Sequence, residues 1–281
     1  MLLHFTKMQA CGNDYIYINC FAPGVDIADP SALAVTLNHR RFGVGGDGLV
    51  LMLPSQVADA KMRIFNADGS EAKMCGNAIR CVGKYLYENE IVPKKHMRIE
   101  SLSGIKKLTL TAQHGRIVSV AVDMGAPILT PRDVPVQADG DAVIARDVTI
   151  GGRAYQITCV SMGNPHAVVF CENPDPWDLA EIGPAFEHNP LFPDRVNLEL
   201  VQVITANHLK MRVWERGSGE TFACGTGACA AAVAAVLNGY CQKNTDITVA
   251  MPGGALVINY TDEAVYMTGD CQKTFDGVVE A

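Results

Sequence analysis

Two cysteines in this 281-residue chain occupy closely matching surroundings. The strings Gly69-Ser70-Glu71-Ala72-Lys73-Met74-Cys75-Gly76 and Ser218-Gly219-Glu220-Thr221-Phe222-Ala223-Cys224-Gly225 align at an offset of 149 residues. Glu, Cys and Gly fall in register, and a small pair precedes each Glu. Each Cys sits where a glycine-containing turn meets helical sequence, Asn77 to Glu88 in the first case and Thr226 to Gly239 in the second. The first N–H groups of a helix lack internal partners and carry the positive end of the macrodipole. A thiol there is expected to be more acidic than usual, and the same N–H groups can hold a carboxylate. Two such helix starts around one substrate would take a proton from one face of a carbon beside a carboxylate and return one to the other. A 1,1-proton-transfer epimerase needs two bases of this kind, one starting as thiolate and the other as thiol.

The elements that must position these groups repeat as well. Gly12-Asn13 is echoed by Gly163-Asn164 at an offset of 151 residues, so the chain reads as two related halves of ~140 residues. In the first half, Asp14 to Asn19, Gly48 to Leu53 and Met62 to Phe65 read as strands, and Lys106 to Gln113 with Arg116 to Asp123 as a hairpin. Asp29-Pro30 opens a helix to about Arg41. In the second half, Val143 to Ile150 with Arg153 to Val160 reads as a hairpin, Trp177 to Glu187 as helix-like, and five further strands follow between Val196 and Met267. The Pro127 to Pro135 stretch is the best candidate for a junction. Cys81 and Cys229 lie six and five residues past the paired cysteines, so they point elsewhere on the helix and read as core. Ala228 to Leu237 is apolar all round and should be buried on every side. Glu71 and Glu220 recur in both halves and are expected to hold the turn ahead of each helix.

Composition excludes several function classes. Lys and Arg number 23 against 30 Asp and Glu, a net charge of -7, and no basic cluster exceeds two residues. That is not a nucleic-acid footprint. The longest apolar run has 10 residues, short of a bilayer span, and the N-terminus has no signal-peptide pattern. A soluble cytoplasmic protein is expected. Among the 10 cysteines there is no C-x-x-C and no zinc spacing, so no metal site is expected. Gly43-Val44-Gly45-Gly46-Asp47-Gly48 spells G-x-G-x-x-G, but it follows a helix and opens a strand, the reverse of a dinucleotide site.

Seven strings in order resemble the diaminopimelate epimerase family. They are Gly12-Asn13-Asp14, Phe65 to Ser70, Cys75 to Arg80, Met162 to His166, Arg195-Val196-Asn197, Glu215 to Thr221, and Cys224 to Ala228. The resemblance runs from Lys7 to Gly269, essentially the whole chain. It implies interconversion of LL- and meso-diaminopimelate without pyridoxal phosphate or metal, for lysine and peptidoglycan precursors. It also implies an α/β fold of two pseudo-symmetric domains, each a curled, mostly antiparallel sheet around a central helix, with the site in the cleft between them. The halves would be residues 1–122, joined by 265–281, and 123–264. By the same resemblance Cys75 and Cys224 are the acid/base pair, with Cys224 the acceptor and Cys75 the donor from LL to meso. Asn66, Asn164, Asn197, Glu215 and Arg216 would bind the distal end of the substrate. The N–H groups of Gly76, Asn77, Gly225 and Thr226 would bind the reacting carboxylate, and Asn13 is a further contact. His166 and Glu215 match residues that tune the cysteines, and a homodimer is implied. The chain departs from some members in having Gly48 where they carry Gln. A sister racemase of the same mechanism, or a non-catalytic amino-acid-binding protein on this scaffold, are the alternatives left by the residues alone.

Overall fold

The computed structural model of the chain describes residues 2–280. The chain divides into two compact units, Met1–Val122 with Thr268–Ala281, and Asp123–Met267.

In the first unit, strand Leu2–Ala10 pairs antiparallel with Asn13–Asn19 and with Gln272–Glu280. Asn13–Asn19 runs parallel to Gly48–Leu53, which is antiparallel to Ala60–Asn66. Ala60–Asn66 pairs antiparallel with the short Glu71–Ala72 and parallel with His96–Ser101. Gly104–Gln113 and Arg116–Asp123 complete a meander. Helix α1, Pro30–Asn38, covers the outside. Its N-cap Asp29 accepts from Ala32 N at 3.0 Å, and Ala34 and Leu37 pack on Ile16, Ile18, Leu49, Leu51 and Phe65. The alternate residues, Tyr17 among them, face helix α2, Gly76–Glu88, and the Tyr17 hydroxyl donates to Ala78 O at 3.4 Å. Covered on both faces, these strands read as continuous apolar runs rather than as alternation.

The second unit repeats this order and sense of pairing. Arg153–Ser161 pairs antiparallel with Pro165–Phe170 and with Arg146–Ile150. Pro165–Phe170 runs parallel to Asn197–Thr205, which is antiparallel to His208–Glu215. His208–Glu215 pairs antiparallel with Gly219–Thr221 and parallel with Asp246–Met251, which continues antiparallel to Gly254–Tyr260. Helix α3, Leu179–Glu187, stands where α1 stands in the first unit, and helix α4, Gly225–Leu237, where α2 stands. Helix α4 contacts six strands of its unit and buries ten residues, so it is the central helix expected from its composition. Its run of alanines keeps the helix narrow enough for a sheet to curl around it.

Cys81 and Cys229 are fully buried, as core residues should be. Several boundaries differ from the sequence reading. Helix α1 stops at Asn38 because His39 turns extended and Gly43 N returns to His39 O at 2.8 Å. The Val143 segment becomes strand only at Arg146. The Pro127 to Pro135 stretch belongs to the second unit, where Ile128 bridges Ser161 and Val134 enters the core. Six strands lie outside the sequence expectation: Leu2–Ala10, His96–Ser101, Pro165–Phe170 and Gln272–Glu280, and the short Glu71–Ala72 and Gly219–Thr221. Among the described residues no helix is long and apolar enough to cross a membrane.

Candidate active site

Each paired cysteine is the N-cap of the central helix of its unit, with extended backbone: φ -138°, ψ 120° at Cys75 and φ -123°, ψ 113° at Cys224. The glutamate four residues upstream holds the turn, as expected. Glu71 takes two hydrogen bonds from Arg63, at 2.7 and 3.0 Å, and Glu220 takes one from Arg212 at 2.8 Å. The two arginines stand at the same spacing as the two cysteines, so each half carries the same ion pair ahead of its helix.

Around Cys75, Asn13 Oδ1 lies 3.4 Å from Sγ and 3.4 Å from Asn77 Nδ2. The Tyr15 hydroxyl is in hydrogen-bond contact with both Cys75 and Asn13, and burial pushes its phenol well up, so it stays a neutral donor. Fully buried Arg80 braces the first turn of α2, donating to Gly76 O at 3.2 Å and Asn77 Oδ1 at 3.0 Å. Asn66 ends its strand opposite Gly48, and its amide donates to Ser70 Oγ at 2.9 Å, within the following turn. A Cβ at Gly48 would fall 2.4 Å from Phe65 O and 2.6 Å from Tyr15 Cε1. The Tyr15 ring thus fills the space a side chain at position 48 would need.

Around Cys224 the partners are a backbone N–H, a hydroxyl and a carboxylate. Gly227 N–H reaches Sγ at 3.3 Å, and Thr226 Oγ1 lies at 3.4 Å. Glu215 hydrogen-bonds Cys224 and accepts from Thr221 Oγ1 at 2.6 Å. Burial pushes the Cys224 thiol well up, and the Glu215 and Glu199 carboxylates add to that, while Thr226 and Gly227 oppose it. The acidic thiol expected from the helix start is therefore not found here. Desolvation of a buried sulfur outweighs two donors and the dipole. Burial likewise raises the Glu215 carboxyl.

His166 and Glu199 are both fully buried, with Nδ1 and Oε1 2.6 Å apart, and His166 Nε2 lies 3.1 Å from Asn164 Oδ1. Asn197 spends its amide on the backbone, donating to Pro165 O at 2.9 Å and accepting from Arg216 N at 2.9 Å. Arg216 Nη1 donates to Asp194 O at 2.7 Å. The second unit thus gathers Asn164, His166, Asn197, Glu215, Arg216, Cys224, Gly225 and Thr226, and the first gathers Asn13, Cys75, Gly76 and Asn77.

Sequence reasoning missed Tyr15, Asp47 and Glu199. The signal for Glu199 was present: a lone carboxylate in the apolar strand Asn197–Thr205 needs a buried partner. The Gly43–Gly48 loop spends its N–H groups internally. Gly43, Gly45, Gly46 and Asp47 donate to the carbonyls of His39, Leu37, Asn38 and Asp14. None of these four points outward to cradle a phosphate. Among the described residues no group of three or more His, Cys, Asp or Glu side chains is placed to hold a metal ion.

Comparison with known proteins matches the profile of the family described as diaminopimelate epimerase over residues 5–130 and 158–274. A diaminopimelate epimerase of Acetivibrio thermocellus is 54% identical over 280 residues, covering 99% of both chains. One of Desulfovibrio desulfuricans is 52% identical over 284 residues, covering 98% of this chain and 97% of its own. Among solved structures, a hydroxyproline epimerase from Agrobacterium vitis superimposes with a TM-score of 0.68 at 15% identity, over 99% of this chain and 91% of that one. At that identity the likeness speaks for the fold alone.

Proposed function

The chain belongs to the diaminopimelate epimerase family, and from that premise we propose that Cys75 and Cys224 exchange the α-proton of diaminopimelate to interconvert its LL and meso forms. The observation that carries the reading is the paired helix starts: one cysteine N-cap in each of two repeated units, within a full-length match. The two environments support the division of labour. Cys224 lies against the Glu215 carboxylate, an acceptor for its proton, with the Gly227 N–H placed to hold the sulfur once deprotonated, and Cys75 lies against the Asn13 carbonyl oxygen.

From LL to meso, Glu215 takes the Cys224 proton: the S–H bond breaks, an O–H bond forms, and Gly227 N–H steadies the thiolate. The Cys224 thiolate then removes the α-proton, and the Cys75 thiol delivers its own to the opposite face. The reverse direction exchanges the roles. Gly76, Asn77, Gly225 and Thr226 receive the reacting carboxylate. Asn66, Asn164, Asn197, Glu215 and Arg216 fix the distal amino-acid end, where an arginine suits carboxylate recognition, and Asn13 is a further substrate contact. His166, held by Glu199, tunes the site through its charge contact with Glu215. The family resemblance further suggests a cytoplasmic homodimer that serves lysine and peptidoglycan precursor synthesis with no added cofactor.

An assay of LL-diaminopimelate beside proline, glutamate, alanine and aspartate tests the substrate. The expected result is conversion to the meso form with at least ~100-fold preference over every simple amino acid, since a site built for a second polar end leaves its groups unpartnered without one. Racemisation of a simple amino acid with no action on LL-diaminopimelate would overturn the assignment.

A further inference from the structure

The Gly43–Gly48 loop spends its N–H groups on its own neighbourhood and is tightly fixed. Gly45 has φ +81°, open to glycine but strained for other residues. A Cβ at Gly46 would come within 2.7 Å of the buried Lys7 Nζ and 3.0 Å of Asn38 Oδ1. Lys7 donates to Gly45 O and pairs with Asp14 at 2.6 Å. The loop therefore lies directly against the turn that carries Asn13. Its product is the placement of Asp47. Asp47 N donates to Asp14 O at 2.7 Å, and its Oδ2 accepts from Asp14 N at 3.0 Å and from Asn13 Nδ2 at 2.7 Å. Its Oδ1 takes Arg40 Nη2 at 2.8 Å.

We propose that Asp47 is a positioning residue that sets the face Asn13 turns to Cys75 and so keeps that cysteine a thiol, the form that donates a proton. An ionised carboxylate can only accept, so the end of the Asn13 amide beside it must be NH2. The opposite end, Oδ1, is then the one 3.4 Å from Cys75 Sγ. A carbonyl oxygen accepts the S–H proton and offers a thiolate nothing. Turned the other way, the same amide would present NH2 and favour the thiolate. Asn77 Nδ2, donating to the same oxygen, reinforces the chosen orientation. Tyr15, whose hydroxyl is in hydrogen-bond contact with Cys75, and Tyr17, next on the same strand face, are titratable groups that face Cys75, and burial holds both neutral. Asp47 itself faces Arg40 and, through it, Asp14 and Lys7.

The inference rests on Cys75 being the proton donor, and its test is read without substrate, so it fails or stands apart from the substrate assignment. Cys75 is alkylated with iodoacetamide and the adduct is followed by peptide mass mapping from pH 6 to 9. Asp47→Asn and Asp47→Ala free the Asn13 amide to turn. Each is expected to raise the Cys75 alkylation rate at neutral pH about threefold to tenfold, the change that a shift of up to one pKa unit gives, and to move its pH profile to lower pH. Cys224 alkylation should be unchanged. Asp47→Glu, which keeps an acceptor, should restore most of the wild-type profile, and Arg40→Gln, which leaves the Asp47–Asn13 bond in place, should match wild type. A purely structural role would change both cysteines together. Wild-type Cys75 profiles in folded Asp47→Asn and Asp47→Ala would overturn the proposal. Should those two fail to fold, an altered Cys75 profile in folded Arg40→Gln with Asp47→Glu unchanged would overturn it equally.

Discussion

Cys75→Ala and Cys224→Ala are each expected to lose epimerisation by about 10²–10⁴-fold or more, the range spanned by a positioned acid or base. The two should differ in stability. Cys224 Sγ accepts from Gly227 N, so its loss strips the cap from α4 and costs about 1 kcal/mol. Cys75 makes no side-chain cap bond to its helix, so Cys75→Ala should unfold close to the wild-type denaturant midpoint. Turnover by chiral chromatography and a urea titration on the same preparations check both statements. Retained epimerisation in either variant would contradict the two-thiol mechanism.

The second large effect is expected at Gly227, the third residue of α4. A Cβ there would lie 2.8 Å from Glu199 Oε1, 3.2 Å from Cys224 Cβ and 3.3 Å from Cys224 Sγ. None of these can give way cheaply. Glu199 is fully buried and held by His166 at 2.6 Å, and Cys224 is fixed as the cap. Gly227→Ala must either lift the start of α4 or break the Glu199–His166 pair. Overpacking of this kind costs about 1–3 kcal/mol. A reacting group displaced by ~1 Å loses about 10²-fold in turnover. The expected outcome is therefore a folded protein with a lowered midpoint and kcat reduced ~100-fold. Wild-type kcat with wild-type stability would show that the sulfur is not held as described.

The paired helix starts were legible because they rest on local rules: a glycine turn, a cap position, and an apolar run behind it. The duplication was legible for the same reason, and the repeated pairing order extends it to the sheets. What escaped depends on long-range partners. Gln272–Glu280 is polar and mostly exposed, with a glycine at 277, and it is a strand because Leu2–Ala10 provides eight paired positions. His96–Ser101 alternates but carries charges on its exposed face, and it is fixed by the strands on either side. At the site, sequence reasoning placed Cys224 in a thiolate-favouring helix start. The depth of burial that reverses this is a property of the whole unit, since α4 is enclosed by strands distant in sequence. Asp47 was in view inside the glycine loop, but its bond to Asn13 joins residues 34 apart and has no local signature. Glu199 pairs with a histidine 33 residues away, for which the only hint was its place in an apolar strand.

The central claim is that two separate thiols handle one α-carbon, and the most direct measurement is the reaction of LL-diaminopimelate in deuterated water, followed by NMR and mass spectrometry at low conversion. Cys75 exchanges its proton with solvent before it donates. Every molecule of meso product should then carry one deuterium at the inverted carbon, while the remaining LL substrate stays protiated. Meso product that retains the substrate's own α-hydrogen, or no conversion at all, would contradict the account.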